Sequence, residues 1–268
     1  MPDVQLFAMT CGWLDMPLGL LRAEAPGRIT VPVPSFLVRH PRGVVVFDTG
    51  LHRDTQDAAC DRLGPLAKIF RVRFSPGEEV AARLAALAVD PAAVQWLVTS
   101  HLHFDHVGGN AQLPNARWVV QRREWEAGRD PEQRARLAYD ARDFDLGHDK
   151  VLVDGEHDLF GDGSVTCLPT FGHTPGHQSL RVRNGGREIV LAADACSLRR
   201  TLEDGVLPPQ AHDPEQMRAS LARLRALRER GAQIIVGHDP EQWADVAQAP
   251  AALLGAPPTA TGPRTRPP

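Results

Sequence analysis

The sequence predicts a single domain of mixed α/β class, and three observations carry that reading. Short apolar runs rich in Val and Ile stop at Asp or His, in the manner of buried strands. Stretches with helical spacing separate them. Strand runs come first, a helix intervenes, and the pattern repeats. With 268 residues, 43% of them hydrophobic, the chain can bury one substantial core without a second domain.

In chain order, a short strand is expected over 4–8, then paired strands over 31–39 and 44–48. A helix follows over 78–88, where Ser75 and Glu78 have the spacing of a capping box. Residues 94–99 read as a buried strand, and a helix begins after Asp105. Beyond it come a strand at 118–121, a helix at 122–126 and strands at 151–153, 165–169, 179–182 and 189–193. A long helix over 214–230 and a strand over 234–237 complete the pattern. Residues 54–75 set Leu66, Ile69, Phe70 and Phe74 among arginines, which suits either a lid or a surface helix with one buried face. An apolar stretch through Met9, Trp13, Leu14, Met16, Leu18, Leu20 and Leu21 is interrupted by Pro17 and Gly19 and is too short to span a membrane. The domain is expected over 1–247, with 248–268, rich in Pro, Ala, Thr and Gly, as a disordered tail.

The chemistry is concentrated in residues 100–110, Ser-His-Leu-His-Phe-Asp-His-Val-Gly-Gly-Asn, which pack His101, His103, Asp105 and His106 into six positions. Neutral imidazole and ionised carboxylate are the ligands that zinc and its first-row neighbours select. In extended chain, residues two apart point the same way, so His101 and His103 can share one ion. Asp105 and His106 are adjacent, sit where the chain turns through Gly108 and Gly109, and more naturally face a second ion. Any one of these histidines alone would read as a surface residue; three histidines and an aspartate within six positions do not.

Two ions need more ligands, and three further segments offer them. Residues 170–180 read Thr-Phe-Gly-His-Thr-Pro-Gly-His-Gln-Ser-Leu, 189–195 read Ile-Val-Leu-Ala-Ala-Asp-Ala, and 234–239 read Ile-Ile-Val-Gly-His-Asp. In the last two, a buried strand delivers Asp194 and His238 to an edge.

This order of segments resembles the metallo-β-lactamase superfamily, in which H-x-H-x-D-H precedes a single His, a single Asp and a final His. The likeness is closest to the N-acyl homoserine lactonases that quench bacterial quorum signals. That likeness runs through Ser-His-Leu-His-Phe-Asp-His-Val-Gly-Gly-Asn itself, Val-Val-Gln-Arg-Arg-Glu-Trp at 119–125, Gly-His-Thr-Pro-Gly-His-Gln-Ser-Leu at 172–180 and Gly-His-Asp-Pro-Glu-Gln at 237–242, while Val-Phe-Asp-Thr-Gly at 46–50 fits the wider superfamily. The resemblance implies an αββα sandwich, two sheets between helices. It also implies two divalent metal ions, zinc first, with manganese, cobalt or iron as alternatives. Carried over by residue, it gives His101, His103 and His177 to the first metal, Asp105, His106 and His238 to the second, and Asp194 to both. His173 is left as a turn residue or a support behind a ligand, and Asp48 lies behind the metals and orients one.

One departure stands out. These lactonases carry a Tyr three residues after the bridging Asp, where its hydroxyl can donate to the lactone carbonyl; here that residue is Ser197, and Tyr139 is the chain's one tyrosine. Losing one preorganised oxyanion donor can cost about 2.7 to 4 kcal/mol. The implied mechanism is attack on the ester carbonyl by a hydroxide that two cations make available near neutral pH. Ser197 and one metal then stabilise the oxyanion, and Asp105 or Asp194 passes a proton to the departing alkoxide.

Other features bound the reading. No charged n-region precedes an apolar h-region, so neither a secretory signal nor a membrane anchor is expected, and the cytoplasm is the default. The four cysteines, at 11, 60, 167 and 196, are scattered without a C-x-x-C pair and read as reduced. A net charge of -3 gives no general attraction to nucleic acid. The substrate is expected to be a small lactone, and the resemblance allows a homodimer. The alternatives are the same fold acting on another lactone, an aryl ester or a thioester, as in the glyoxalase II type; a one-iron persulfide dioxygenase; or a non-catalytic binding member, which would be expected to have lost a ligand.

Overall fold

A computed structural model describes residues 3–255. Its strands are β1 (Gln5–Pro17), β2 (Arg28–His40), β3 (Gly43–Phe47), β4 (Arg71–Arg73), β5 (Trp96–Val98), β6 (Arg117–Gln121), β7 (Lys150–Val153), β8 (His157–Asp158), β9 (Val165–Pro169), β10 (Gln178–Asn184), β11 (Arg187–Ala193), β12 (Gln233–Val236) and β13 (Ala252–Leu254). Among the described residues they make two sheets, one in the order β13-β1-β2-β3-β5-β6-β7 with β4 paired to β1, the other β12-β11-β10-β9-β8. β3, β5, β6 and β7 run parallel, as do β11 and β12.

The two-residue period of a strand sends alternate side chains to opposite faces, and both sheets use both faces. Leu6, Ala8, Val45, Phe47, Val98 and Val119 point into a buried layer shared with Val165, Leu180, Val182, Leu191 and Ile235 of the second sheet. Their neighbours Phe7, Met9, Val46, Leu97, Trp118 and Val120 point the other way, beneath helices Val80–Ala86 and Arg122–Arg129. On the far side, Val190, Ala192, Ile234 and Val236 pack under helix Pro214–Glu229 through Met217, Leu221, Leu224 and Leu227. Those four residues follow the helical period. Asp213 caps the helix by accepting from Glu215 N and Gln216 N, and Pro214 fills the first turn. The result is helix, sheet, sheet, helix, the αββα sandwich expected. Among the described residues no helix is long and apolar enough to cross a membrane.

Short elements such as β4, β8 and the helices Pro131–Arg136 and Pro240–Asp245 were not expected, and three further differences bear on the sheet and its edges. β1 runs to Pro17 rather than stopping near Ala8, and its register with β2 shifts between Thr10 and Trp13. Gly12, at φ +106°, absorbs that irregularity and hides the strand's period in the sequence. Ser75 N does donate to Glu78 Oε2 at 2.8 Å, but in the turn before the helix, which starts at Val80. The stretch read as a tail from residue 248 is ordered at its start: Ala249 N donates to Ala8 O at 2.8 Å, and β13 pairs with β1. Without β13, β1 would present unpaired backbone groups at the sheet edge. Residues 256–268 of that predicted tail lie outside the described residues.

Candidate metal centre

The site lies where strands of both sheets end. β3 runs into Asp48, β5 into Ser100 and His101, β11 into Asp194 and β12 into His238, so the carboxyl ends of parallel strands converge, as open α/β sheets arrange their ligand crevices. The short helix Phe104–Val107 supplies Asp105 and His106, and His106 O accepts from Thr49 N at 2.8 Å. A Cβ at Gly108 would stand 2.2 Å from His52 N, so no other residue lets these two loops close.

Ligand-type atoms of His101, His103 and His173 lie within 4.8 Å of one another, as do those of Asp105, His106 and His238, and those of His101, His106 and Asp194. The hydrogen bonds behind these side chains fix which atoms face inward. His103 Nε2 donates to Leu137 O at 3.1 Å, which leaves Nδ1 bare. The Ser100 hydroxyl donates to Asp48 Oδ2 and accepts from His101 Nδ1 at 2.9 Å, which leaves His101 Nε2 bare. The two bare nitrogens are 2.8 Å apart, with no proton to stand between them. Such opposed lone pairs fit a cation. His106 Nδ1 donates to Asp48 Oδ2 at 2.9 Å, and its Nε2 is buried with no hydrogen-bond partner among the described residues. His238 Nδ1 donates to Pro32 O, turning Nε2 toward Asp194 Oδ1 at 3.0 Å and Asp105 Oδ2 at 3.6 Å.

Burial pushes His101, His103 and His173 below the usual imidazole range, which keeps them neutral, the form that binds metal. His106 and His238 behave oppositely. Burial works to lower them, but the carboxylates of Asp105 and Asp194 outweigh it and, with Asp48, hold His106 up at about 10. Asp194 is held well below the carboxylate range, against its burial, by His238 and His106. The cavity floor thus carries concentrated negative potential that a divalent cation would neutralise in place of protons.

The structure brings His173, rather than His177, into this cluster. His177 was expected among the first metal's ligands and His173 behind them. Instead His177 Nε2 accepts from Asp194 N at 3.1 Å and its Nδ1 bonds Thr170 Oγ1 at 3.0 Å, so both ring nitrogens are occupied. Burial pushes His177 down to about 3. His173 Nε2 stands 3.1 Å from His103 Nδ1 and 3.5 Å from Asp194 Oδ2, inside the cluster. The chain leaves β9, turns through Gly172, where a Cβ would meet Met217 N at 2.2 Å, and thereby presents His173; His177 immediately precedes β10 and is drawn into the core. Two histidines four apart in a turn carry no sequence signal that ranks them.

Above the floor opens a cavity of about 280 Å³ whose wall includes Met16, Leu20, Leu21, Leu66, Ile69 and Phe70, with His103, Asp105, His173, Asp194, Ser197 and His238 beneath. Both apolar segments singled out in the sequence therefore reach the site. Tyr139 does not supply the missing phenol, because its hydroxyl is committed to Glu124 Oε1 at 2.5 Å. Sequence reasoning missed Glu124 and the backbone carbonyls of Leu137 and Pro32. A carbonyl has no side-chain signature, and Glu124 stood out only within the longer run at 119–125.

Residues 28–238 match the family model of the metallo-beta-lactamase superfamily. The chain is 33% identical to the N-acyl homoserine lactonase AttM of Azorhizobium caulinodans, over 93% of this chain and 98% of that protein. It is 30% identical to the N-acyl homoserine lactonase AiiA of Bacillus thuringiensis subsp. kurstaki, over 82% of this chain and 86% of that one. A solved N-acyl homoserine lactone hydrolase, with the product N-hexanoyl-L-homoserine at its catalytic metal centre, superposes with a TM-score of 0.84 at 26% identity, covering 94% of this chain and all of that one (100%). By sequence, fold and extent, the chain belongs to the metallo-beta-lactamase superfamily and, within it, to the family of the N-acyl homoserine lactonases.

Proposed function

We infer that this chain is a metal-dependent hydrolase that opens the ester ring of N-acyl homoserine lactones. The observation that carries the reading is the convergence of five histidines and two aspartates at the floor of an apolar cavity. In this reading His101, His103 and His173 hold one ion, Asp105, His106 and His238 a second, and Asp194 touches both. Zinc is the ion such an imidazole-rich set selects, ahead of manganese, cobalt or iron. When bound, the pair supplies an ionised water near neutral pH and a Lewis acid for the ester carbonyl.

The chain's own groups do the rest. The wall of Met16, Leu20, Leu21, Leu66, Ile69 and Phe70 receives the acyl chain and keeps bulk water from the ester. Ser197 carries the only hydroxyl among the described residues lining the cavity and donates to the carbonyl oxygen. As the ester bond breaks, Asp105 or Asp194 takes the proton of the newly added hydroxyl and passes it to the departing alkoxide, leaving a carboxylate and an alcohol on one chain, a hydroxy acid. Four unpaired cysteines support a reducing, cytoplasmic setting.

Ser197 also supports a second reading, in which the missing phenol has moved the preferred substrate to another lactone, an aryl ester or a thioester. The test is ring opening of a short-chain and a long-chain N-acyl homoserine lactone by zinc-, manganese- or cobalt-loaded protein, followed by mass spectrometry. The expected result is a mass gain of one water that is absent in His101→Ala. No turnover by protein carrying two metals per chain would favour the second reading.

A further inference from the structure

Glu124 sits near the start of helix Arg122–Arg129, directly after β6, and its side chain is completely buried. Among the described residues no basic side chain pairs with it. Four donors surround it instead: Leu102 N at 3.1 Å and Tyr139 Oη at 2.5 Å on Oε1, and Gly176 N at 2.7 Å and Thr174 Oγ1 at 2.9 Å on Oε2. A buried carboxylate without a cation costs several kcal/mol unless its lone pairs are filled, and here they are. Packing alone does not ask for such a group.

Each donor belongs to a segment that aims a ligand at the first cluster. Leu102 lies between His101 and His103. Thr174 follows His173, and a Cβ at Gly176 would stand 2.3 Å from Glu124 N, so that loop is pressed against the helix start. Tyr139 is two residues from Leu137, whose carbonyl holds His103 Nε2. The second cluster hangs from other supports, His106 from Asp48 and His238 from Pro32.

We propose that Glu124 is the positioning residue for the first metal site alone, tying the loops that carry His101, His103 and His173 into one rigid unit. This rests on the two-metal reading above. Glutamine in its place has one acceptor oxygen for four donors, so at least two N–H or O–H groups lose their partner.

The experiment is metal stoichiometry and affinity by chelator competition on the full chain, with zinc and cobalt as probes, alongside the visible spectrum of the cobalt form. Glu124→Gln is expected to weaken one of two ions about 10- to 100-fold and leave the other unchanged. Tyr139→Phe and Thr174→Val, which each remove one donor and keep the fold, move the same ion in the same direction by less. On a His173→Ala background Glu124→Gln leaves the remaining ion's affinity unchanged. Equal weakening of both ions, or loss of thermal stability with both affinities intact, overturns the proposal. Fewer than two ions on the unmodified chain overturns instead the reading on which it rests.

Discussion

Asp48 supports His106 from behind: Asp48 Oδ2 accepts from His106 Nδ1 at 2.9 Å, while Oδ1 accepts from Ser100 N at 2.6 Å. One carboxylate therefore fixes the ring of a second-cluster ligand and the backbone that leads into His101. Asp48 reaches this position with φ +55°, a left-handed conformation that non-glycine residues adopt at a cost, consistent with a geometry held by the surrounding loops. Asp48→Asn keeps the shape but sets an amide where acceptors are needed. A loss of about 10- to 100-fold in activity or metal affinity is expected. Wild-type kcat and metal content in this variant would remove Asp48 from the site.

Metal removal should destabilise the fold. His101 Nε2 and His103 Nδ1 face each other at 2.8 Å as bare lone pairs, beside the carboxylates of Asp105 and Asp194. At free metal about a thousandfold above Kd, binding stabilises by about 4 kcal/mol. Exhaustive chelation should then lower Tm on the order of 10 °C, with recovery on adding zinc, manganese or cobalt. Scanning calorimetry of chelated and reloaded protein checks this, and an unmoved Tm would contradict it.

Much of this was legible in advance, for a physical reason. Strands that end in Asp or His break their own apolar pattern, so Asp48, His101, Asp194 and His238 announce themselves in one dimension. What stayed hidden needs the third. That His173 rather than His177 faces the cluster depends on which way a glycine turn faces, and the grip on His103 and His238 comes from the carbonyls of Leu137 and Pro32. β13 was masked by a composition typical of tails, although Leu254 is buried against β1.

Ser197→Ala tests the hydroxyl at the cavity floor. If the serine donates to the developing oxyanion, kcat falls while KM for the lactone holds, because an interaction made in the transition state is lost. The ceiling is about a hundredfold to a thousandfold, the value of a well-placed donor. A variant with unchanged kcat would assign carbonyl activation entirely to the metals.

Arg62 anchors the segment that carries Leu66, Ile69 and Phe70 over the cavity. Its guanidinium pairs with buried Asp143 and, at 2.9 Å, with Asp140. Arg62→Met leaves Asp143 buried without its partner, a change that costs about 3 to 5 kcal/mol. Burial already pushes Asp143 up from 3.8 to about 6, against the pull of Arg62. Because this folded-state value lies above the unfolded one, ionising Asp143 opposes folding: the stability is present below about pH 4 and is lost as pH rises through 6. The deficit of Arg62→Met relative to wild type should therefore grow from pH 4 to pH 7, as denaturant melts would show. KM should rise more for a long-chain than for a short-chain lactone. A uniform change across chain lengths would separate Arg62 from the cavity wall.

The two histidines of the Gly-His-Thr-Pro-Gly-His turn give the sharpest test of the site. His173 Nε2 lies in the cluster, 3.1 Å from His103 Nδ1, so His173→Ala should release one metal equivalent and abolish most activity. His177 has both nitrogens engaged, one accepting from Asp194 N and the other on Thr170 Oγ1. His177→Ala leaves the Asp194 N–H buried without its partner, at a cost of about 1 to 3 kcal/mol in stability. It should retain two metals, with a kcat reduced through the looser Asp194. Metal analysis of both variants decides between the rings. Loss of an ion from His177→Ala and none from His173→Ala would restore the assignment that family resemblance alone suggests.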